Sequence, residues 1–172
     1  MAEIFRNGRV RRSECLIAFM IVGSAELCHR ISEGLHQNAR ERRWHISVHQ
    51  CESIADVVKA KLDISVDFII FASDLKVAHA LSEIEANIAI IDEHYIISGA
   101  TCLVNCNGIR NVMGLIHKSK ALCHKYNIRF LSANVFDMQA CIYLGSRLLN
   151  IMEGIMGLNG GVPIIGTVAQ YT

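Results

Sequence analysis

Four short runs of consecutive apolar residues divide the chain into regular segments. They extend from Leu16 to Val22, from Val66 to Ala72, from Ala100 to Val104 and from Ile128 to Leu131. Near-continuous apolar runs of this length are typical of strands that are buried on both faces, as in parallel sheets. The pattern therefore predicts four buried parallel strands.

The segments between these runs place apolar residues at helical spacing. The apolar positions are Leu27, Ile31 and Leu35; Leu81, Ile84, Ile88 and Ile91; Val112, Leu115, Ile116 and Leu122; and Phe136, Ala140, Leu144, Leu148 and Ile151. Helices that alternate with parallel strands form right-handed crossovers and cover both faces of the sheet. We therefore predict a three-layer α/β/α domain with a mostly parallel sheet.

The region between the first two buried strands has a weaker pattern. Trp44 to Val48 alternates polar and apolar residues, as an edge strand does. Ile54, Val57, Val58 and Leu62 then form a short helical face. We predict an edge strand followed by a short helix.

The chain becomes rich in glycine and apolar residues after Glu153. Gly154 and Gly157 lie in this stretch, and Val162 to Ile165 are apolar apart from one proline. Such a composition does not favour a continued helix, so we predict an extended or loosely ordered tail. The predicted organisation is a basic N-terminal segment (1–14), one domain (15–153) and a C-terminal tail (154–172).

Composition and charge limit the classes of function. The chain has 172 residues and is 52% hydrophobic, which is enough for one well-filled core. Lys and Arg number 17 against 16 Asp and Glu, for a net charge of +1. This balance removes the usual electrostatic basis for broad nucleic-acid binding, so any DNA contact is expected to be indirect or through a complex.

The seven cysteines are odd in number and lie in apolar segments, as expected for reduced thiols in the cytosol or nucleus. No signal peptide is visible at the N-terminus. The apolar run from Cys15 to Val22 is much shorter than the roughly 20 residues that span a bilayer. We therefore expect a soluble protein with no membrane association.

The loop after the first buried strand occupies the position of a phosphate loop, whose pattern is G-x-x-x-x-G-K-[ST]. Only its first glycine, Gly23, is retained. Cys28, His29 and Arg30 replace the second glycine, the lysine and the hydroxyl residue, and Glu26 adds a negative charge. No aspartate has a glycine three residues later, so the D-x-x-G element of small GTPases is absent too. The sequence predicts loss of phosphoryl-transfer chemistry.

Two later loops partly match the guanine-binding motifs of small GTPases. Asn105 begins a segment at the position of N-K-x-D, and Ser132 begins one at the position of S-A-K. Gly108 lacks the carboxylate of the first motif, while Cys106 and Asn134 replace the two lysines. Guanine recognition is therefore not predicted. Asn105 and Ser132 are equally good turn and helix-cap residues.

Other candidate chemistries fit the sequence no better. Cys123 and Arg129 have the C-x5-R spacing of tyrosine phosphatases, but they lie at the end of a predicted helix and the start of a predicted strand. For zinc, Cys102 and Cys106 straddle the end of one predicted strand. His117, Cys123 and His124 are neighbours on a predicted helix, without a second pair of ligands. We predict no catalytic residue, no metal and no cofactor. Cys28 near a helix N-terminus remains an alternative nucleophile.

Taken as a whole, the pattern resembles the centromere protein M (CENP-M) family over roughly residues 15 to 165. The resemblance lies in Leu16 to Gly23, Val66 to Leu75, Glu83 to Ile97, Ala100 to Gly108, and the last helix with its Gly-rich tail. It implies a small-GTPase-like fold that neither binds nor hydrolyses GTP. The N-terminal arginine-rich segment and residues 40–62 match poorly.

The same resemblance implies a function and partners. CENP-M proteins bind CENP-I and assemble with CENP-H and CENP-K in the inner kinetochore, within the constitutive centromere-associated network. It therefore implies a non-enzymatic nuclear protein at the centromere and kinetochore, with a role in kinetochore assembly and chromosome segregation and with no small-molecule substrate. The alternative is a divergent small GTPase or another nucleotide-binding protein.

Two apolar patches are the candidate partner-binding surfaces. The first patch is Tyr95, Ile96 and Ile97, and the second is Val162, Ile164 and Ile165 in the tail. Exposed apolar patches are typical of protein-binding sites, and packing into the core is the alternative for both patches.

Overall fold

The computed structural model describes residues 5–6, 16–61, 64–77, 79–108 and 113–157. Its strands are β1 (Phe5–Arg6), β2 (Leu16–Val22), β3 (His45–Cys51), β4 (Ile64–Ser65), β5 (Phe68–Ser73), β6 (Thr101–Asn105) and β7 (Arg129–Ser132). Its helices are α1 (Ala25–Arg42), α2 (Ile54–Lys59), α3 (Ala80–Ile88), α4 (Glu93–Ile97), α5 (Met113–Tyr126) and α6 (Met138–Met156).

Five parallel strands form the central sheet in the order β3-β2-β5-β6-β7. The four predicted strands are β2, β5, β6 and β7, and all six residues of β5 are buried. In contrast, β7 lies at an edge of the described sheet and only its Leu131 is buried, so the prediction of a buried strand there was wrong. The predicted edge strand is β3, which pairs with β2 alone among the described strands. The α/β class and the mostly parallel sheet are thus confirmed. Separately, β1 pairs in parallel with β4.

Helices cover both faces of the sheet. On one face, α1 packs along α6 and against β2 and β3. On the other face, the Oδ1 atom of Asn87 in α3 accepts a 2.7 Å hydrogen bond from the Ile54 amide at the start of α2. Glu85 in α3 also pairs with Lys125 in α5 at 2.6 Å. The result is the predicted arrangement of three layers.

After β3, the chain passes from one edge of β2 to the opposite edge of β2. It runs outward from β2 to β3, and then returns past β2 to β5 on the opposite side. In doubly wound sheets, this reversal opens a crevice between the carboxyl ends of the two strands concerned. Here the crevice lies between the carboxyl ends of β2 and β5.

Helices α1 and α6 cross at two glycines that let their backbones touch. A Cβ atom on Gly145 would lie 2.3 Å from the carbonyl oxygen of Gly34, and one on Gly34 would lie 2.5 Å from that of Cys141. Beside this crossing, the buried Asn38 amide donates 2.8 Å and 2.7 Å hydrogen bonds to the carbonyls of Gly34 and Ile142. Close backbone contact and the hydrogen bonds of the Asn38 side chain therefore hold the two helices together.

The end of α6 differs from the prediction. The helix continues past Gly154 to Met156, and Gly157 ends it with the left-handed φ of 65° that favours glycine. Met152 and Ile155 are buried in the core, and their packing outweighs the low helical preference of Gly154. The predicted boundary at Glu153 was therefore wrong by three residues. Residues 158–172 lie outside the described part of the chain.

Replacing Gly145 by alanine is expected to destabilise the fold, because the added methyl group forces α1 and α6 apart. We expect a loss of about 1–3 kcal/mol in the free energy of unfolding, measured by denaturant titration. Gly154→Ala is the matched control, since a Cβ atom there meets nothing within 4 Å. It should stabilise the same helix by roughly 0.5–1 kcal/mol. Equal effects of the two changes would contradict the close crossing.

Candidate functional site

The connection from β2 to α1 is the first part of the crevice and consists of Gly23 and Ser24 alone. The Gly23 amide donates a 2.9 Å hydrogen bond to the carbonyl of Cys51 at the end of β3. A Cβ atom on Gly23 would lie 2.6 Å from the carbonyl oxygen of Ala72. The turn is thus packed directly onto β5, and glycine is needed there for close approach.

The residues at the other phosphate-loop positions belong to α1 and not to a loop. Cys28 is 1% exposed, and its thiol contacts the carbonyl oxygens of Gly23 at 3.3 Å and Ile21 at 3.6 Å. His29 and Arg30 lie on the outer side of the helix, within 3.5 Å and 4.0 Å of the Glu33 carboxylate. A phosphate loop wraps its anion with successive backbone amides. The two-residue turn leaves no such loop between β2 and α1.

The Cys28 thiol lacks the exposed sulfur and the lowered pKa of an activated nucleophile. Burial, helped by Cys51 and the Glu52 carboxylate, raises its pKa to about 12. The burial of the thiol and the direction of its pKa shift thus oppose the alternative hypothesis that Cys28 is an activated nucleophile. The five other cysteines in the described residues are also unpaired, and all but Cys51 are buried. They pack as small hydrophobic side chains.

The two loops that partly match guanine-binding motifs bind each other. Asn105 is fully buried, and its Nδ2 atom donates to the Gly108 carbonyl at 2.8 Å and to the Ser132 hydroxyl at 3.2 Å. Asn107 and Asn134 form an isolated bridge between the same two loops. The side chains that a guanine site would direct at its base are used here to join β6 to β7. Asn105 and Ser132 are the last residues of β6 and β7, and their side chains have a structural role there.

The remaining candidates for chemistry are separated or buried. Cys123 is buried in α5, where desolvation raises its pKa to about 11. Arg129, the second half of the C-x5-R pattern, donates from its guanidinium to the Gly99 carbonyl. Among the described residues, no group of three or more His, Cys, Asp or Glu side chains converges as a metal site.

The crevice itself is an open cleft of about 280 Å³ at the carboxyl ends of β2 and β5. Its apolar wall includes Leu27 of α1 and Ile84 of α3. The acidic side chains around it are Glu52, Asp74 and Glu83, and none of the described residues that line it is Lys, Arg or His. We call this space the acidic cleft.

Two features of the acidic cleft were missed in the sequence. Glu52 and Asp74 each follow a strand directly, so their positions at the carboxyl edge were available as a signal. The second feature is Ser73, the last residue of β5, which lines the cleft and is 2% exposed. Its hydroxyl has no hydrogen-bond partner among the described residues. A run of consecutive apolar residues that ends just before Ser73 does not reveal such a hydroxyl.

The structure divides the first predicted partner-binding patch. Tyr95 is 2% exposed and donates from its hydroxyl to the Val66 carbonyl at 2.8 Å, so its assignment to the surface was wrong. Ile96 is half-buried against the core, whereas Ile97 is 79% exposed at the end of α4. The short helix α4 causes this split because it turns successive side chains in different directions. The second patch, Val162, Ile164 and Ile165, lies outside the described residues.

Comparison with known proteins gives distant structural likenesses only. No protein-family model and no curated protein sequence matches the chain. Rubredoxin oxygen:oxidoreductase from Desulfovibrio gigas is 7% identical with a TM-score of 0.45, over 84% of this chain and 37% of its own. The flavodiiron protein from Giardia intestinalis is 12% identical with a TM-score of 0.34, over 81% of this chain and 37% of its own.

A short-chain flavodoxin associated with a PDU bacterial microcompartment is also similar. It is 8% identical with a TM-score of 0.36, over 80% of this chain and 98% of its own. This chain thus spans little more than a third of the oxidoreductase and of the flavodiiron protein. Likeness at these scores assigns no activity or cofactor. The small-GTPase-like layout stays a prediction.

Within the described part of the chain, no helix has the length and apolar character required to cross a bilayer.

Alkylation tests the state of Cys28 directly. In the folded protein at neutral pH, iodoacetamide should modify Cys28 far more slowly than in the denatured chain, because the thiol is buried and its pKa is raised. Peptide mass mapping at timed quenches measures both rates, and the denatured protein is the control. Rapid and selective modification of Cys28 in the folded state would revive its role as a nucleophile.

Proposed function

We propose that this chain is a non-catalytic protein that binds partner proteins and has a small-GTPase-like fold, that is, a pseudo-GTPase. The observation that carries the proposal is the two-residue turn of Gly23 and Ser24. A P-loop nucleotide-binding protein holds its phosphates in a longer Gly-rich loop at this position. Here the turn is packed on Ala72, and the Cys28 side chain lies beneath it.

The identity of the partners rests on the resemblance to CENP-M. We infer that the chain binds CENP-I and assembles with CENP-H and CENP-K as a subunit of the inner kinetochore. In that role it would contribute to kinetochore assembly and chromosome segregation, at centromeres in the nucleus, with no cofactor. The internal pairing of Asn105 with Gly108 and Ser132 supports the non-catalytic part, because these groups already bind one another.

The alternative function is that of a divergent small GTPase or another nucleotide-binding protein. The cleft at the carboxyl ends of β2 and β5 favours this alternative, because nucleotides bind at that point of many doubly wound sheets. Its carboxylates oppose it, since Glu52, Asp74 and Glu83 would repel the phosphates. The electrostatic observation is the stronger of the two.

Titration with a fluorescent GTP analogue and Mg²⁺ separates the two functions. We expect no saturable change in fluorescence anisotropy that unlabelled GTP reverses, because the β2–α1 turn offers no cradle of amides. ATP and FMN analogues serve as parallel probes of the same cleft. Micromolar binding that the unlabelled nucleotide competes away would refute the pseudo-GTPase proposal.

Co-purification tests the partner assignment. The tagged chain, expressed with CENP-I, CENP-H and CENP-K of its own organism, should elute with them as one stoichiometric complex in size-exclusion chromatography. The same tag on the chain from nuclear extract should recover these three proteins by mass spectrometry. Elution of the chain alone in the reconstitution, while the other three proteins associate, would count against the assignment.

The exposed end of α4 supplies a finer test of the first patch. Ile97→Asp should abolish co-purification, because it puts a charge on the most exposed residue of the patch, while the melting temperature stays nearly unchanged. Tyr143→Asp is the control, since Tyr143 is 66% exposed on α6 and belongs to neither patch. A large fall in the melting temperature of Ile97→Asp, or unchanged co-purification, would remove Ile97 from the binding surface.

A further inference from the structure

We propose that the outer edge of β7 binds an extended acidic segment of a partner protein, which adds to the sheet as a further strand. The proposal rests on the partner-binding function above and names one surface for it. Among the described strands, β7 pairs with β6 alone, so its other edge is open. Open edges present unpaired backbone groups with which an extended peptide can pair.

The hydrogen bonds of β7 identify the backbone groups at the open edge. The Ala133 amide, one residue beyond the strand, donates a 3.0 Å hydrogen bond to the Asn105 carbonyl of β6. Backbone groups of successive residues in a strand point to opposite sides, so those of Leu131 also face β6. The amide and carbonyl groups of Phe130 and Ser132 therefore face outward. They can form about four hydrogen bonds with an added strand.

Helix α5 places basic side chains beside this edge. Near the end of the helix, Lys125 turns toward α3, where it pairs with Glu85 at 2.6 Å. Because α3 packs on β5 and α5 packs on β7, the opposite flank of α5 lies on the side of the open edge. At about 3.6 residues per turn, that flank carries Lys120 and His124, which are one turn apart and both exposed.

Two arginines on β7 and α6 add to this charge. Arg129 begins β7, is exposed, and donates from its guanidinium to the Gly99 carbonyl. Arg147 of α6 is half-buried, and its guanidinium lies over the ring of Tyr143. Burial raises the pKa of the Cys102 thiol in β6, and the positive charges of Arg129 and Arg147 both oppose that rise. Since Cys102 is paired with Arg129, both guanidinium groups lie near the beginning of β7.

The same part of the sequence contains no carboxylate. No Asp or Glu occurs between Glu93 and Asp137, a stretch that includes β6, α5 and β7. Asp137 itself is occupied, because its side chain accepts hydrogen bonds from the first amides of α6. Within the described residues, no carboxylate forms an ion pair with Lys120 or Arg129. The open edge is thus flanked by positive charge that an acidic segment would neutralise.

These features together select the occupant of the edge. Basic residues beside an edge strand oppose its pairing with a second copy of the same edge, because like charges would meet. Nucleic acid would contact the basic side chains but has no peptide backbone to pair with Phe130 and Ser132. An extended acidic peptide fits both features, since its backbone pairs with the edge and its carboxylates meet the basic groups.

The test titrates the full chain with the blocked peptide acetyl-Thr-Glu-Val-Glu-Val-Glu-Thr-amide and follows binding by two-dimensional ¹H–¹⁵N NMR. We expect saturable shifts of the Phe130 and Ser132 amide signals. Hydrogen exchange of both amides should also slow, because they gain hydrogen-bond partners. The Leu131 amide, which already faces β6, should show no comparable slowing. The same peptide with lysine in place of each glutamate should bind about tenfold more weakly or not at all.

Two charge reversals on α5 connect the shifts to the edge. Lys120→Glu changes the flank beside the edge and should weaken peptide binding about tenfold. Lys118→Glu is the matched control, since Lys118 is also exposed but lies seven residues before Lys125, on the flank that faces α3. It should change binding much less at about 0.1 M salt, where charges more than about 10 Å apart are largely screened.

A modified peptide tests the backbone pairing separately from the charge. N-methylation of two consecutive central residues removes one amide donor from each edge of the peptide. That peptide keeps all its carboxylates and should still bind about tenfold more weakly than the unmodified one. A purely electrostatic contact would not produce this loss.

Several outcomes would overturn the proposal. They are no saturable shift up to about 10 mM acidic peptide, equal binding of the lysine or N-methylated peptide, unchanged binding by Lys120→Glu, and tighter binding of a short single-stranded DNA at the same residues. Two further results would assign the edge to another occupant. If the free chain already protects the Phe130 and Ser132 amides and loses this protection when shortened after Gly157, its own C-terminal residues cover the edge. If the protection rises with protein concentration, a second copy covers it.

The partner-binding function has a separate readout. If the Lys120→Glu chain still forms the complex with CENP-I, CENP-H and CENP-K at wild-type affinity, the edge is not a partner contact and the function stands. If the unaltered chain forms no such complex while the acidic peptide binds as expected, the assigned partners are wrong and the edge proposal stands.

Discussion

The structure of the candidate site depends on the contact between Gly23 and the end of β5. The Gly23 Cα lies so close to the Ala72 carbonyl that a Cβ atom would be 2.6 Å from its oxygen. The turn is held there, and α1 begins at Ala25, with only two residues between it and the end of β2. The next positions are helical, and Cys28 is directed back beneath the turn. One close approach therefore decides that this edge has a helix in place of a loop.

The crossing of α1 and α6 also stabilises the position of α1. Gly34 and Gly145 bring the two backbones together, and Asn38 bonds a carbonyl on each helix. Near the end of α1, Arg42 donates to the Asn150 side chain at 2.7 Å and lies 3.5 Å from the Glu153 carboxylate. Contacts along its length thus fix α1 in place, and with it the position of its first turn at the cleft.

The local pattern of apolar residues correctly predicted the strands whose two faces are both buried. The run from Leu16 to Val22 matches β2 residue for residue, since a central parallel strand needs apolar residues throughout. Tyr95 was wrongly assigned to the surface. In a short helix with three successive apolar residues, only tertiary contacts decide which side chain is buried. Here the Tyr95 hydroxyl donates a hydrogen bond to the Val66 carbonyl. Gly154 was misread because the packing of Ile155 outweighs the local helical preference.

The acidic cleft is a different kind of failure of sequence reasoning, because two of its three charges have a local explanation. Glu83 lies in the first turn of α3, where the helix dipole favours an acidic residue, and Asp74 accepts a hydrogen bond from the Lys76 amide. Charges with such explanations are ordinary one by one. Only the fold shows that they share a space with Ser73, whose buried hydroxyl has no local explanation and costs about 1–3 kcal/mol if left unpaired.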